Sequence, residues 1–194
     1  VRVLTNRSSG RMGYALADAA FARGADVLLI TGPTTLPLPL GVRIERVETT
    51  RDLESAVAAA LPHAHVLMMA AAPADFAPAA PAAAKQPRTQ GAQTITLNPT
   101  PDILEATRAI RPQGCVCVGF ALESGEDGVA RARAKLETKG ADLVVLNRAD
   151  QPGAGPEADT NAVTLVFPRD AVRLPLQSKR RVAEQIWDAV EKLL

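Results

Sequence analysis

"TNRSSGRMGYALADAAFARGADVLLITGP", residues 5–33, holds a turn, a helix and a strand in one stretch. Small hydroxyls and glycines come first, in Asn6-Arg7-Ser8-Ser9-Gly10-Arg11-Met12-Gly13. Apolar residues then recur at helical spacing at Tyr14, Leu16, Ala17, Ala20 and Phe21, which predicts a helix over 11–23 with Gly24 as its stop. "DVLLIT" (26–31) is a short continuous apolar run, typical of a strand covered on both faces. A turn that feeds a helix, which returns to a buried strand, is the unit of an α/β fold.

The rest of the chain repeats that alternation. "VRIERV" (42–47) alternates as a strand, and "TTRDLESAVAAAL" (49–61) is helical, with Thr50 as N-cap and Leu53, Val57 and Leu61 on one face. "HVLMMA" (65–70), "QTITL" (93–97), "CVCVGFAL" (115–122) and "DLVVLN" (142–147) read as strands, and 101–110 and 126–139 as helices. "AVTLVF-PRD-AVRLPL" reads as a hairpin. Ser178 then caps a last helix whose inner face carries Val182, Ile186, Val190 and Leu193. The expected fold is Rossmann-like: a single domain over 1–194, with an open, mostly parallel sheet, helices on both faces and a C-terminal antiparallel hairpin.

Two stretches interrupt this pattern. Residues 71–91 contain four prolines, which forbid a long helix or a central strand. A loop of about 20 residues inside a domain is usually functional or mobile. "RADQPGAGPEADT" (148–160) is a second loop.

Composition narrows the function classes. The 194 residues are 47% hydrophobic and carry 22 basic and 21 acidic groups, so neither a nucleic-acid nor a membrane partner is implied. Cys115 and Cys117 alternate with valines on one strand, where a disulfide between them has poor geometry. Buried free thiols suit a reducing cytoplasm, and no apolar run reaches about 18 residues. His63 and His65 are the only histidines, which makes metal binding through them improbable.

In doubly wound sheets, ligands sit in the loops leaving the carboxyl ends of strands. Four stretches qualify: 5–13, 71–91, 98–102 and 119–123. Ser8, Ser9 and Gly10 at a helix start either hold a phosphate on free N–H groups or simply cap the helix. Asp75 and Lys85 either hold magnesium and clamp phosphates or are solvated loop charges. "NPTPDIL" (98–104) either presents helix N–H groups to a ligand or is ordinary capping. Phe120 either packs against a base or belongs to the core. Lys135 and Lys139, one turn apart, share a helix face.

The motifs together closely resemble bacterial phosphopantothenoylcysteine synthetase. This CTP-dependent phosphopantothenate–cysteine ligase is often the C-terminal synthetase domain of a bifunctional coenzyme A biosynthesis flavoprotein. The resemblance runs from "VRVLTNRSSGRMG" through "MMAAAPADF", "NPTPDIL", "VGFALES" and "KLETKGADLVVLN" to "GAGPEADTNAVTLV". It implies activation of the 4′-phosphopantothenate carboxylate by CTP to an acyl-cytidylate, then attack by the amine of L-cysteine. By the same resemblance Met69, Ala70, Ala71, Pro101, Asp102, Ile103, Leu104 and Phe120 line the cytidine pocket. Asp75 lies near Mg²⁺ and the triphosphate, Lys85 serves the first half-reaction, and Lys135 and Lys139 add nucleotide contacts. Asn6 serves the second half-reaction, with Arg2 in the same segment, and Ser8, Ser9 and Gly10 hold the phosphate region. A cytoplasmic homodimer is implied, with a flavin-dependent decarboxylase domain in the parent protein and no FMN role for this chain.

The sequence departs from the family pattern in three places. A further strand and a Gly-Pro-Thr turn usually precede Arg2, so the family's first strand is expected to be missing. A lysine-rich run gives way to "KQPRT", which leaves Lys85 and Arg88 as the phosphate clamp, and Pro156 replaces a common Phe. Two rivals remain open from the residues alone. An NAD(P)-dependent reductase lacks its GxGxxG here, and a non-catalytic nucleotide-binding module would use the same sheet.

Overall fold

The structure, a computed structural model, describes residues 3–82, 84, 87, 91–123, 125, 127–148 and 151–194. Elements follow in the order α1 (Arg11–Ala22), β1 (Leu28–Thr31), β2 (Arg43–Arg46), α2 (Thr50–Ala60), β3 (Val66–Met69), β4 (Phe76–Pro78), β5 (Leu97–Pro99) and α3 (Ile103–Ala106). They continue with β6 (Val116–Glu123), α4 (Gly128–Lys139), β7 (Leu143–Arg148), β8 (Thr160–Val166), β9 (Ala171–Ser178) and α5 (Lys179–Val190).

The main sheet has five strands in the order β3-β6-β7-β8-β9. β3, β6 and β7 are parallel, while β8 and β9 run antiparallel, so the sheet is mixed. Two further pairs stand apart: parallel β1–β2 and antiparallel β4–β5. The α/β class expected from the sequence is the class observed.

Side-chain alternation on β6 assigns the layers. Val116 and Val118 face α1 and α5, in a core with Leu16, Ala19, Val182, Ala183, Ile186 and Val190. Cys117 and Ala121 face α4, against Ala132 and Leu136. α2 closes the same face further along, where Leu53 and Val57 meet Ile103 and the flanking side chains of Ile30, Leu67 and Met69. α1 and α5 are also joined by polar contacts. Arg23 reaches Glu184, Asp188 and Glu191 at 2.7–2.8 Å, and Trp187 Nε1 donates to the Leu16 carbonyl at 2.9 Å.

Several local expectations shift. The cap of α2 is Thr49 rather than Thr50, because Thr49 and Asp52 form a reciprocal capping box. The 71–91 stretch contains β4, a strand where a loop was expected. Its pairing with β5 also moves the strand read at 93–97 to Leu97–Pro99. Prolines are tolerated there because a two-stranded ribbon is all edge. The helix expected over 101–110 is four residues long plus a 3-10 turn at Arg108–Ile110, with Asp102 as its cap. Phe21 and Leu193 are exposed rather than inward: Phe21 is 45% exposed, and Leu193 lies past the end of α5.

Ile186 is fully buried between the sheet and α1. Ile186→Ala should cost about 2–5 kcal/mol. Urea unfolding followed by the fluorescence of Trp187, the sole tryptophan, measures it. A loss below about 1 kcal/mol would mean that α5 is not seated as described.

Candidate functional site

A cavity of about 290 Å³ opens past the carboxyl end of β3, beside β6, between α3 and α4. Ten of the residues expected at a nucleotide site line it: Met69, Ala71, Asp75, Pro101, Asp102, Ile103, Leu104, Phe120, Lys135 and Lys139. They come from four separate stretches of chain, and the parallel pairing of β3 with β6 brings the stretches together. Ala70 is the exception. Strand alternation turns its side chain to the opposite face, where it packs against the core under α1 and faces Gly13. Pro73, Ala74, Thr100, Gly119, Ala141 and Val144 complete the wall; the first four fall in the stretches 71–91, 98–102 and 119–123 expected to meet a ligand, and Ala141 and Val144 fall outside them. A Cβ at Gly119 would stand 3.4 Å from Leu104 Cδ1, another residue of the wall.

Hydrogen bonds shape the rim. Thr100 Oγ1 donates to the Ala74 carbonyl at 2.6 Å, and Thr100 N to the Asp75 carbonyl at 2.9 Å. Asp102 caps α3 by accepting from Glu105 N, and it also pairs with Lys139 Nζ at 2.9 Å. Lys139 is shared with Glu105 at 3.2 Å, while Lys135 pairs with Glu123 at 2.7 Å. Burial alone would push the Asp102 carboxyl up. Lys139 and the amides of Glu105 and Leu104 outweigh it and hold the group below the usual carboxylate range. The hydrogen bond that Lys139 donates to Asp102 in turn raises Lys139. Lys135 and then Arg131 hold Glu123 low.

The opening turn lies next to this cavity rather than in it. Asn6 Nδ2 donates to the Pro73 carbonyl at 2.8 Å, tying the turn to the cavity wall. Gly10 is the N-cap of α1 with φ +75°, a left-handed conformation that a side chain would strain, and it offers no side-chain cap. Ser8 Oγ accepts from Gly10 N and Ser9 Oγ from Arg11 N, both at the long end of hydrogen-bond distance. On the far side the turn meets residues 153–159: Arg7 pairs with Glu157 at 2.8 Å, Arg11 pairs with Asp159, and Ser9 Oγ donates to the Pro156 carbonyl. Sequence reading did not foresee this contact, because about 150 positions separate its two halves.

Arg2, Lys85 and Arg88 lie outside the described residues. Among the described residues, no group of three His, Cys, Asp or Glu could hold a metal ion by itself, and no helix is long and apolar enough to cross a membrane.

Parallel strands covered by helices on both faces, with a cavity at a strand's carboxyl end, define an open α/β domain of the doubly wound kind. Comparison with known proteins narrows this. The model of the DNA/pantothenate metabolism flavoprotein C-terminal domain matches residues 1–194, and the chain belongs to that family. The coenzyme A biosynthesis bifunctional protein CoaBC of Vibrio vulnificus (strain YJ016) is 38% identical over 196 residues, covering 100% of this chain and 49% of its own length. The protein of the same name from Mycobacterium tuberculosis (strain H37Rv) is 42% identical over 206 residues, again covering 100% and 49%. The crystal structure of a CoaBC C-terminal domain superposes with a TM-score of 0.81 at 34% identity, covering 100% of this chain and 87% of that one. The chain thus spans about half the length of the curated relatives it matches.

The Asp102–Lys139 pair links α3 to α4 across the cavity mouth. A carboxyl held low in the folded state contributes stability above its ordinary value, and the contribution is lost as pH falls through the lowered value. Lys139→Met should therefore move the Asp102 midpoint upward in a carboxyl NMR titration. An unmoved midpoint would mean that the α3 amides alone hold the carboxylate.

Proposed function

We propose that this domain ligates 4′-phosphopantothenate to L-cysteine at the expense of CTP. The products are phosphopantothenoylcysteine, CMP and pyrophosphate. The observation that carries this reading is the convergence of ten residues from four motifs on one cavity, with Asn6 bonded to its wall. The name of the CoaBC relatives, coenzyme A biosynthesis bifunctional protein, supports it.

In the first step a carboxylate oxygen attacks the α-phosphate of CTP. The α–β phosphoanhydride bond breaks and pyrophosphate leaves. In the second, the cysteine amine attacks the acyl carbon, loses a proton, and CMP departs. Both steps gather negative charge on oxygen, which placed donors stabilise. Cytidine occupies the cavity, against Phe120 and the 69–71 and 101–104 backbone. Lys135 and Lys139 exchange their carboxylate partners for nucleotide oxygens. The N-cap Gly10 offers the first-turn amides of α1 no side-chain cap, and these amides face the phosphate region with Ser8 and Ser9. Lys85 acts in the first step, and Asn6 and Arg2 in the second.

Asp75 presents an oxygen donor on the cavity wall. Mg²⁺ is commonly held by one or two carboxylates together with substrate phosphates, and this donor fits that pattern. Bound there, the ion supplies charge neutralisation on the phosphates.

Two further readings go with the activity. The parent protein carries a flavin-dependent decarboxylase domain, a reading supported by CoaBC relatives about twice as long as this chain. The working unit is a homodimer, supported by the apolar side chains that the β4–β5 ribbon and its approach expose: Phe76, Ile95 and Leu97. Light scattering at micromolar concentration should give twice the chain mass, and a monomer mass alone would sink the dimer.

Pyrophosphate release tests the activity. It should require CTP and phosphopantothenate together, with ATP a poor substitute; a reductase or a passive binding module releases none. Asn6→Asp should separate the steps, because an ionised carboxylate cannot donate to an oxyanion or to the Pro73 carbonyl. Loss of one such donor typically costs about 10²–10³ in rate. Quenched single turnovers should show acyl-cytidylate accumulating while ligation stalls. Normal ligation without trapped intermediate would leave Asn6 with a structural role only.

A further inference from the structure

Lys179 is the first residue of α5 and is 6% exposed. Two physical costs meet at that place. Burial strips water from an ammonium group, and the N-terminal end of a helix repels a cation. Burial pushes the amine below the usual lysine value, and neighbouring Arg11 pushes it the same way. A lysine that serves only α5 would avoid both costs, and Arg180 and Arg181 next to it are exposed.

Its contacts lie outside α5. Nζ donates to the carbonyl oxygens of Gly155 at 2.9 Å and Pro156 at 2.8 Å. The backbone N–H of Lys179 donates to the Asp159 carbonyl at 2.9 Å, and Thr160 Oγ1 holds Gly153 at 2.6 Å. The Pro156 carbonyl accepts a second donor, Ser9 Oγ, from the opening turn. One carbonyl oxygen therefore couples the buried ammonium to the turn that carries Asn6 and Ser8–Gly10. The ion pairs Arg7–Glu157 and Arg11–Asp159 flank this point, but both are largely exposed and contribute little rigidity alone. Lys179 is the buried member of the set.

We propose that Lys179 is a positioning residue for the ligation step: its ammonium holds residues 153–157 against Ser9 and so fixes the turn that presents Asn6 to the acyl-cytidylate. This rests on the function proposed above. The cytidine cavity is built from other elements, so Lys179 acts on the placement of the turn and not on the cytidine pocket.

The test uses Lys179→Met, Lys179→Arg and Ser9→Ala in the full chain. Ser9→Ala removes the other donor to the same carbonyl from a partly exposed position, so the test survives poor folding of Lys179→Met. Hydrogen exchange should rise about tenfold or more in 8–10 and 154–159 for Lys179→Met, with the α2 and α4 amides unmoved. Affinity for cytidine, which lacks the phosphates that the turn faces, should stay within about twofold by calorimetry. Single-turnover ligation should slow about 10–100-fold, the cost expected of a slightly misplaced catalytic group. Pyrophosphate release should slow much less. Lys179→Arg, which keeps charge and donors, should recover most of the ligation rate. The double variant Lys179→Met/Ser9→Ala should be no worse than the poorer single, because both act on one carbonyl. Unchanged local exchange, equal loss in both half-reactions, or additive effects would overturn the proposal. If the unmodified chain releases no CTP-dependent pyrophosphate, the function reading fails instead, and the exchange measurements still decide whether Lys179 holds the turn.

Discussion

Burial of both faces of β6 is the constraint on which the molecule depends. Val116 and Val118 must meet α1 and α5 while Cys117 and Ala121 meet α4, so the strand cannot slip by one residue without inverting both cores. That fixed register places Gly119 and Phe120 at the cavity. It also sets β3 beside β6, so that Met69 and Ala71 arrive from the neighbouring strand end. The site is a by-product of core packing: no residue in it needs a strained backbone to reach its place.

Electrostatics in the site is local rather than global. A chain with net charge +1 has no long-range pull on an anion, and the cavity lysines are already paired with Asp102, Glu105 and Glu123. A phosphate-bearing ligand must compete for cations that are oriented but not idle. This discriminates against weak, non-specific anions, because each must match what a carboxylate already supplies.

The fold was largely legible in the sequence, because helix and strand periods alternate cleanly. α1, α2 and α4 begin and end within about two residues of where the sequence puts them, and α5 begins at its Ser178 cap but ends short of Leu193. What the sequence hid was set by pairing partners rather than by local pattern. β4 lies among prolines and exists because β5 is opposite, and β5 takes its position from the same contact. The cavity residues were read through family resemblance; spacing alone left each with an ordinary alternative, such as capping for Asp102, which it also does. The clasp of the opening turn by 153–159 left no trace in either half. Lys179 reads in sequence as one more surface lysine at a helix start, and only burial distinguishes it.

Both cysteines sit inside the sheet, and burial raises both thiols, that of Cys117 to about 11. At neutral pH such a thiol is ionised to about one part in 10⁴. Thiol–disulfide exchange proceeds through the thiolate and needs access to the sulfur, and these side chains have neither. A domain proposed to handle free cysteine works among small thiols and the disulfides they form. With its own sulfurs walled off in this way, it can bind a thiol co-substrate without becoming a redox partner of it.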